Sequence, residues 1–338
     1  MQTILKEITT PTRLCNDQGR LNPDALGWSR RPLHICNLRG HFPRKKKWDY
    51  WCITGDKFLF STTIAHVDYL ALGSAYFLEY DSGRFAELNA ARFLARGPEM
   101  PETVGGTIHY NYGEPTLAFD SHENGLVITA RADNFNGKPL DAMIEIDRRP
   151  NHETLNVVVP WDETTFQFTS KQHCLSARGS IRWGDETFEF TNGSTFACLD
   201  YGRGIWPYST SWNWASFSGR SGKDVVGLNM GAKWTDGTGM NENGILLNGR
   251  LSKVFDDVIF SYDDRDFMRP WKMKTENSNA IDLEFIPFYE KISNTNLFII
   301  RSNVHQMFGH YRGVLRVDNK DIPIENIIGW AEEHHARW

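Results

Sequence analysis

The sequence predicts an all-β fold: two lipocalin-like halves, each an antiparallel β-barrel or curved sheet, related by internal duplication. Three observations point there. Short segments in which polar and apolar residues alternate recur along the whole chain, the period-2 signature of half-buried strands. Polar, glycine-containing turns separate them at roughly the spacing of an all-β barrel or sandwich. One pattern also occurs twice. Ser170, His173, Gly179 and Ile181-Arg182 are matched, across a gap two residues longer, by Ser302, His305, Gly313 and Leu315-Arg316. Each copy follows a Pro-aromatic pair, Pro160-Trp161 or Pro287-Phe288, and runs into a tight polar turn at 183–186 or 317–320. A repeat of this length constrains architecture before any single element does. It divides the chain into halves of 1–192 and 193–338, with the join near Asn192-Gly193-Ser194.

In chain order, the basic run 44–47 precedes Trp48-Asp49-Tyr50-Trp51 and reads as a solvated turn ahead of a strand. Residues 57–64 begin a strand that leads into 66–72, and 75–80 end at the hairpin signal Asp81-Ser82-Gly83. Residues 84–94 carry apolar positions at helical spacing and read as the one short helix. Alternation resumes at 107–112, 126–131, 143–147 and 155–159, and then at 224–230, 244–250, 258–262 and 296–300. Antiparallel sheets of this kind must hide their edges or close on themselves. Two packed barrels would do so, and a barrel of about eight strands leaves room for one ligand at its mouth.

Composition narrows the function. At 338 residues, with 40% hydrophobic and 13% aromatic side chains, the chain has ample material for a core and many large flat faces. A net charge of -5 gives no steering towards nucleic acid or anionic lipid. The five cysteines are odd in number and none is CxxC-spaced, so they read as buried, reduced thiols. Residues 1–7 are too short and polar for a signal peptide, and no apolar run is long enough to span a bilayer. The expectation is a soluble cytoplasmic protein without stable membrane insertion. No GxSxG elbow, P-loop, dinucleotide fingerprint or zinc spacing occurs, so no cofactor and no metal are expected. Glu332, Glu333, His334 and His335 lack the HExxH spacing and read as part of a segment that docks Trp338 and closes the barrel.

The densest chemistry lies at 200–215. Asp200, Tyr201 and Arg203 precede Trp206, Trp212 and Trp214, and the last two alternate through Asn213, so a strand would turn both to one face. Further on come Asn229, the polar turn Asn241-Glu242-Asn243, and His305-Gln306. One principal pocket in or beside the second half is expected. Asp200, Tyr201, Glu242 and His305 are its candidate catalytic groups. Arg203, Trp206, Trp212, Trp214, Asn229 and Gln306 are its candidate ligand-binding groups.

Several of these stretches resemble domain-of-unknown-function family 2804. They are Gly27 to Leu33, Arg44 to Trp51, Trp212-Asn213-Trp214-Ala215, residues 227–231, His305-Gln306-Met307-Phe308-Gly309, and Glu332 to Trp338. The resemblance covers nearly the whole chain. More distantly, the layout is similar to duplicated lipocalin-like (calycin) proteins. These include carotenoid hydratases of the hydroxyneurosporene synthase type, tocopherol cyclase, fungal pericyclases, and lipid-handling proteins without known catalysis. No catalytic role carries over by position.

Three functions follow. The first is cofactor-free hydration, isomerisation or cyclisation of an apolar or amphipathic small molecule, which needs a dry pocket, a proton donor of raised pKa, and aromatic faces that steady positive charge. The second is a non-catalytic carrier of a lipid-like ligand. The third is carbohydrate binding or glycoside chemistry, which would require paired carboxylates.

Overall fold

The structure, a computed structural model, describes residues 6–93, 97–297 and 300–338. The expectations for residues 1–5, for Leu94 at the end of the anticipated helix, and for Phe298-Ile299 in the strand at 296–300 lie outside the described residues. What is described is almost wholly β. A 13-stranded sheet holds the first part of the chain, a 9-stranded sheet holds the rest, and one 3-10 turn spans Pro23–Ala25.

The long path of the first sheet runs, edge to edge, Phe85–Phe93, Leu70–Glu79, Phe58–His66, Lys45–Thr54, Phe196–Ile205, Phe166–Trp183, Lys138–Asp147, Gly125–Phe135, Thr116–His122, Ile108–Tyr110. The second runs Arg250–Lys253, Gly244–Leu247, Asp224–Ala232, Ser209–Ser221, Lys320–Arg337, Ile300–Val317, Ile281–Leu297, Trp271–Thr275, Val258–Ser261. All pairings in these paths are antiparallel.

Each sheet curls around its own core. On Lys45–Thr54 the odd residues Trp51 and Ile53 join the first core with Phe60, Phe77, Ile128 and Phe168. On Ser209–Ser221 the odd residues Ala215 and Phe217 join the second with Leu228, Trp271, Phe285 and Tyr311. The even residues of the same strands face the opposite sheet. Tyr50, Cys52, Leu59 and Tyr76 from the first meet Trp214, Phe308 and Trp330 from the second. A neighbouring cluster brings Leu155, Val157, Phe196 and Trp206 against Trp234, Leu246 and Leu251. The two curved sheets therefore pack outer face to outer face, each with a core of side chains on its inner face.

The duplication is visible in the backbone. Gly179 lies opposite Ile144 on one side and Phe190 on the other, and Gly313 lies opposite Leu283 and Ile324. Both have a positive φ, 143° and 135°. In both, a side-chain carbon would collide with the neighbouring strand, 2.1 Å from the carbonyl of Met143 or 2.3 Å from that of Asp282. The two glycines thus carry the same kink in the same register. The Pro-aromatic pairs are not equivalent. Pro160 ends a strand opposite Phe166, whereas Pro287 lies within the long strand Ile281–Leu297, at a register shift opposite Gly309.

Other expectations change. The join near Asn192 falls one strand early, because Phe196–Ile205 pairs with Lys45–Thr54 and Phe166–Trp183 in the first sheet. Residues 85–93 form a strand, not a helix. Phe85 pairs with Leu78 and Phe93 with Leu70, and alternation sets Ala86, Leu88 and Ala90 against the first core while Glu87 and Asn89 face the second sheet. Segment 244–250 divides at a turn, and 57–72 turns at Asp68, whose φ is 63°. The basic run is no solvated turn, since Lys46 is fully buried at the start of a strand. The segment from Glu332 to the end does not close a barrel edge; it lies within Lys320–Arg337, near the centre of the second sheet. All five cysteines are free and buried.

Candidate functional site

A cavity of about 300 Å³ lies between the two sheets, not at the mouth of either. That volume is at the lower end of small-molecule sites, about 300–1,000 Å³. Its wall is aromatic. Trp48, Tyr50 and Tyr76 come from the first sheet, Trp212 and Trp214 from the second, Trp206 from the end of the first sheet, and Trp234 from the loop that follows Asp224–Ala232. Trp338 completes it. The rings of Trp206 and Trp234 stack at 5.7 Å, and Trp48, Trp161, Trp212 and Trp338 surround Trp206 at 4.9–6.0 Å. These rings are amphipathic, and most have their N–H engaged. Trp206 donates to Gln167 Oε1 at 2.8 Å, Trp214 to Asn229 Oδ1 at 2.8 Å, Trp212 to Glu332 Oε1 at 2.8 Å and Trp234 to Glu242 Oε1 at 3.0 Å.

Within this wall sits a buried charge cluster. Lys171 Nζ lies 2.8 Å from Asp200 Oδ1 and 3.1 Å from Glu242 Oε2, and 4.6 Å over the ring of Trp214. Asp200 comes from the strand beside Lys171, directly across the ladder. Glu242 comes from the loop before Gly244–Leu247, and its place is built in several ways. Asn229 Nδ2 donates to its carbonyl at 2.6 Å, and Lys253 Nζ donates to the carbonyls of Asn243 at 3.1 Å and Val254 at 2.8 Å and to the side chain of Asn241. Gly231 leaves the space the carboxyl occupies, since a side-chain carbon there would lie 2.2 Å from Oε1.

Burial raises the pKa of Glu242, Lys171 pulls it back, and Asp200 raises it again. For Lys171, burial pulls the ammonium down, but the two carboxylates together outweigh it, so the net shift is upward. These directions are compatible because the charge of each group enters the balance of the other. Two carboxylates on one ammonium leave a surplus negative charge in a low-dielectric site. The lysine is held in its charged form, and Glu242 is the carboxyl that burial pushes upward. Its Oε2 accepts no well-aligned hydrogen bond despite its closeness to the ammonium.

At another edge of the cavity Tyr50 and Tyr76 share a 2.7 Å hydrogen bond, and Tyr76 donates to Gln306 Oε1 across the sheets at 3.1 Å. His334 lies over Trp212, with ring centroids 3.9 Å apart, and meets Ser302 Oγ at 2.9 Å. Lys291 pairs with Glu87 at 2.8 Å. Among the described residues no group of three or more His, Cys, Asp or Glu is arranged to hold a metal ion.

The structure brings Asp200, Glu242, Trp206, Trp212, Trp214 and Gln306 to this cavity. Asn229 lies behind it, holding Trp214 and Glu242. Three expected residues lie elsewhere. Tyr201 and Arg203 turn into the first sheet's interior, where Tyr201 donates to the Pro101 carbonyl at 3.3 Å and Arg203 is paired with Asp49 at 2.7 Å. His305 faces away from the cavity, beside Phe267, and is paired with Glu290 at 2.7 Å. Period 2 explains all three, because a strand cannot turn neighbours such as Asp200 and Tyr201, or His305 and Gln306, to one side. Lys171 and Gln167 line the cavity without having stood out in the sequence, and Glu332 and His334 line it although the sequence marks them only as part of the segment that docks Trp338. The signal was a lysine within the otherwise uncharged stretch from Phe166 to Leu175, and the even parity that Glu332 and His334 share with Trp330.

Fold and cavity define a class: two curved antiparallel sheets, packed back to back, enclosing one aromatic cavity with a buried acid-lysine cluster. The chain belongs to the family described as Domain of unknown function (DUF2804), whose model matches residues 5–338. No curated protein matches it by sequence. Among solved structures it is similar in fold to CghA with Sch210972, at 10% identity and a TM-score of 0.53 over 87% of this chain and 89% of that one. It is also similar to kievitone hydratase from Nectria haematococca, at 9% identity and a TM-score of 0.44 over 90% and 94%.

Proposed function

We propose that this chain binds an apolar or amphipathic small molecule between its two sheets and catalyses a cofactor-free hydration, isomerisation or cyclisation on it, with Glu242 as the proton donor. The observation that carries this reading is a carboxyl of raised pKa placed in an aromatic wall beside a cavity. Protonation of a carbon–carbon double bond by Glu242 would leave a cation on the substrate, steadied by the faces of Trp212 and Trp214. Loss of a neighbouring proton then gives an isomer, attack by water gives a hydrate, and attack by a second double bond closes a ring. In each case one proton returns to the Asp200–Lys171–Glu242 cluster, so the enzyme ends as it began. CghA was solved with Sch210972, and a ligand held within this fold agrees with the reading.

The carrier reading keeps one specific support: Lys171 pairs with both carboxylates, as a purely structural ion cluster would. Glycoside chemistry is served less well, because the ammonium occupies the space between the two carboxylates that a glycosidic bond would need. The test is to incubate wild-type protein and Glu242→Gln with a small-molecule extract and profile it by mass spectrometry. Wild type should convert a component to an isomer of equal mass or to its hydrate. Glu242→Gln should retain that component on native mass spectrometry without converting it. Retention without conversion by both proteins would leave a carrier, and retention by neither would end the reading.

A further inference from the structure

The Trp206 end of the cavity carries donors without acceptors. Gln167 Nε2 is buried and makes no hydrogen bond, while Oε1 of the same amide is fixed by Trp206. Trp338 Nε1 is likewise buried and unbonded, on a ring 6.0 Å from that of Trp206. Both residues line the cavity. Behind them stands Lys46, 0% exposed, whose Nζ has no hydrogen-bond partner and no ion pair among the described residues. Its ammonium lies 5.3 Å from the ring of Trp338 and 5.0 Å from that of Tyr69.

The three groups share one place in the fold. Lys46 pairs across the ladder with Gly204, and Trp48 with Gly202. Side-chain carbons at those glycines would fall 2.2 Å from Gln167 Oε1 and 2.6 Å from Nε2, so the bare backbone there is what admits the amide. Elsewhere in the cavity the lining cations are paired, Lys171 with Asp200 and Glu242, Lys291 with Glu87. A buried ammonium without a counter-charge and a buried donor left unbonded are both destabilising unless something in the site pairs with them. Burial draws the Lys46 ammonium down to about 8, Asp68 raising it and Arg44 lowering it.

We propose that this end of the cavity is an anion subsite, at which Gln167 Nε2 and Trp338 Nε1 donate to a carboxylate or enolate oxygen of an otherwise apolar ligand while Lys46 supplies the compensating charge. The proposal rests on the cavity being the binding site, and it narrows the ligand to an amphipathic acid whose apolar body reaches towards Glu242. Anion and proton donor then stand at different places on the wall, the first fixing orientation and the second acting on the body.

Two fluorescent probes that differ by one sulfonate test it: 8-anilino-1-naphthalenesulfonate and the neutral N-phenyl-1-naphthylamine. Both should bind the wild-type protein, the anionic probe at least about 10-fold more tightly, as expected for one charge-assisted contact worth about 1.4 kcal/mol. Lys46→Met, which strands no partner because Lys46 has none, should abolish the preference while leaving the neutral probe's affinity unchanged. Gln167→Glu keeps the acceptor for Trp206, replaces the free donor with negative charge, and should abolish it as well. Equal affinities in the wild type, or a preference that survives Lys46→Met, overturn the subsite. Should Lys46→Met fail to fold, survival of the preference in Gln167→Glu overturns it. The neutral probe reports separately on the cavity. If it does not bind, or if Trp212→Ala leaves its affinity unchanged, the cavity reading fails and the subsite with it.

Discussion

A single lysine between two carboxylates sets the character of the cavity at the scale of residues. Lys171 pairs with both, and the loop held by Lys253 places Glu242, the carboxyl that burial pushes upward, in the cavity wall. Beside this cluster, His173 shows the opposite response to burial. It is enclosed between the sheets, with Nε2 2.8 Å from Ser216 Oγ, and burial, with Lys171 and His152 adding to it, lowers its pKa from 6.5 to about 3. A histidine that is neutral when folded and protonates more readily when unfolded contributes stability above pH 6.5, and that stability is lost as pH falls towards 3. Glu242, shifted upward, acts in the other sense, because its burial is least costly when it is protonated. Thermal melts in steps from pH 7.5 to pH 4.5 should therefore show a falling midpoint in the wild type, with a limiting slope of about 1.4 kcal/mol per pH unit for one proton. His173→Gln should reduce that slope, to which His34, His66 and His152, also lowered by burial, contribute as well, and a slope unchanged by the substitution would remove His173 as one of its sources. Residue identity was legible in part. Asp200, Glu242 and the tryptophans were found from the types of side chain they cluster with. Tyr201, Arg203 and His305 were misplaced because that same clustering was read along the chain, where alternate residues belong to opposite faces.

The elements owe their shapes to a few backbone positions. Alternation was enough to locate most strands, because most have one face on a core and the other between the sheets. It failed at 85–93, where Phe85, Ala86, Leu88, Ala90 and Phe93 satisfy both a helical and a strand period, and the free edge of Leu70–Glu79 decided the outcome by pairing along the whole segment. It also gave no hint of strands as long as Phe166–Trp183 or Lys320–Arg337, which bend rather than end. Gly179 and Gly313 are where the long strands Phe166–Trp183 and Ile300–Val317 bend. With φ of 143° and 135°, and a neighbouring carbonyl in the path of any side chain, neither position tolerates alanine without backbone movement. Gly179→Ala and Gly313→Ala should each lower stability in urea unfolding by more than about 2 kcal/mol, the upper end of what a left-handed residue alone costs. Gly222, a turn position with open space around it, supplies the control. Its alanine variant should lose only the cost of a left-handed residue, about 1–2 kcal/mol. If either long-strand variant proves as stable as wild type, that kink is not required, and the backbone argument for duplication loses half its support.

At the scale of the whole molecule, the cavity and the stability of the fold depend on the same interface. The prediction of two curved antiparallel halves holds, but the cavity is not inside one of them. Each sheet fills its interior with Phe, Ile, Leu and Trp, and the large aromatics that form the cavity wall lie on the outer faces. Sequence patterns show which residues share a face; they do not show which faces meet, and that information was needed to unite Lys171 with Glu242 or Tyr76 with Gln306. Because Cys52, Leu59, Tyr76 and Leu78 of the first sheet are buried in one cluster with Trp214, Phe308 and Trp330 of the second, neither sheet can expose this face to water cheaply. Polar links cross at the same level, His173 to Ser216 at 2.8 Å and the Cys174 amide to Ser218 Oγ at 2.9 Å. The two sheets should therefore unfold together. Calorimetry should give one transition whose van't Hoff and calorimetric enthalpies agree. A ligand occupying the cavity at 100 times its Kd should stabilise that whole transition by about 2.7 kcal/mol, not one part of it. Two resolved transitions, with only one moved by N-phenyl-1-naphthylamine, would mean that the sheets are independent domains and that the ligand is held by one of them alone.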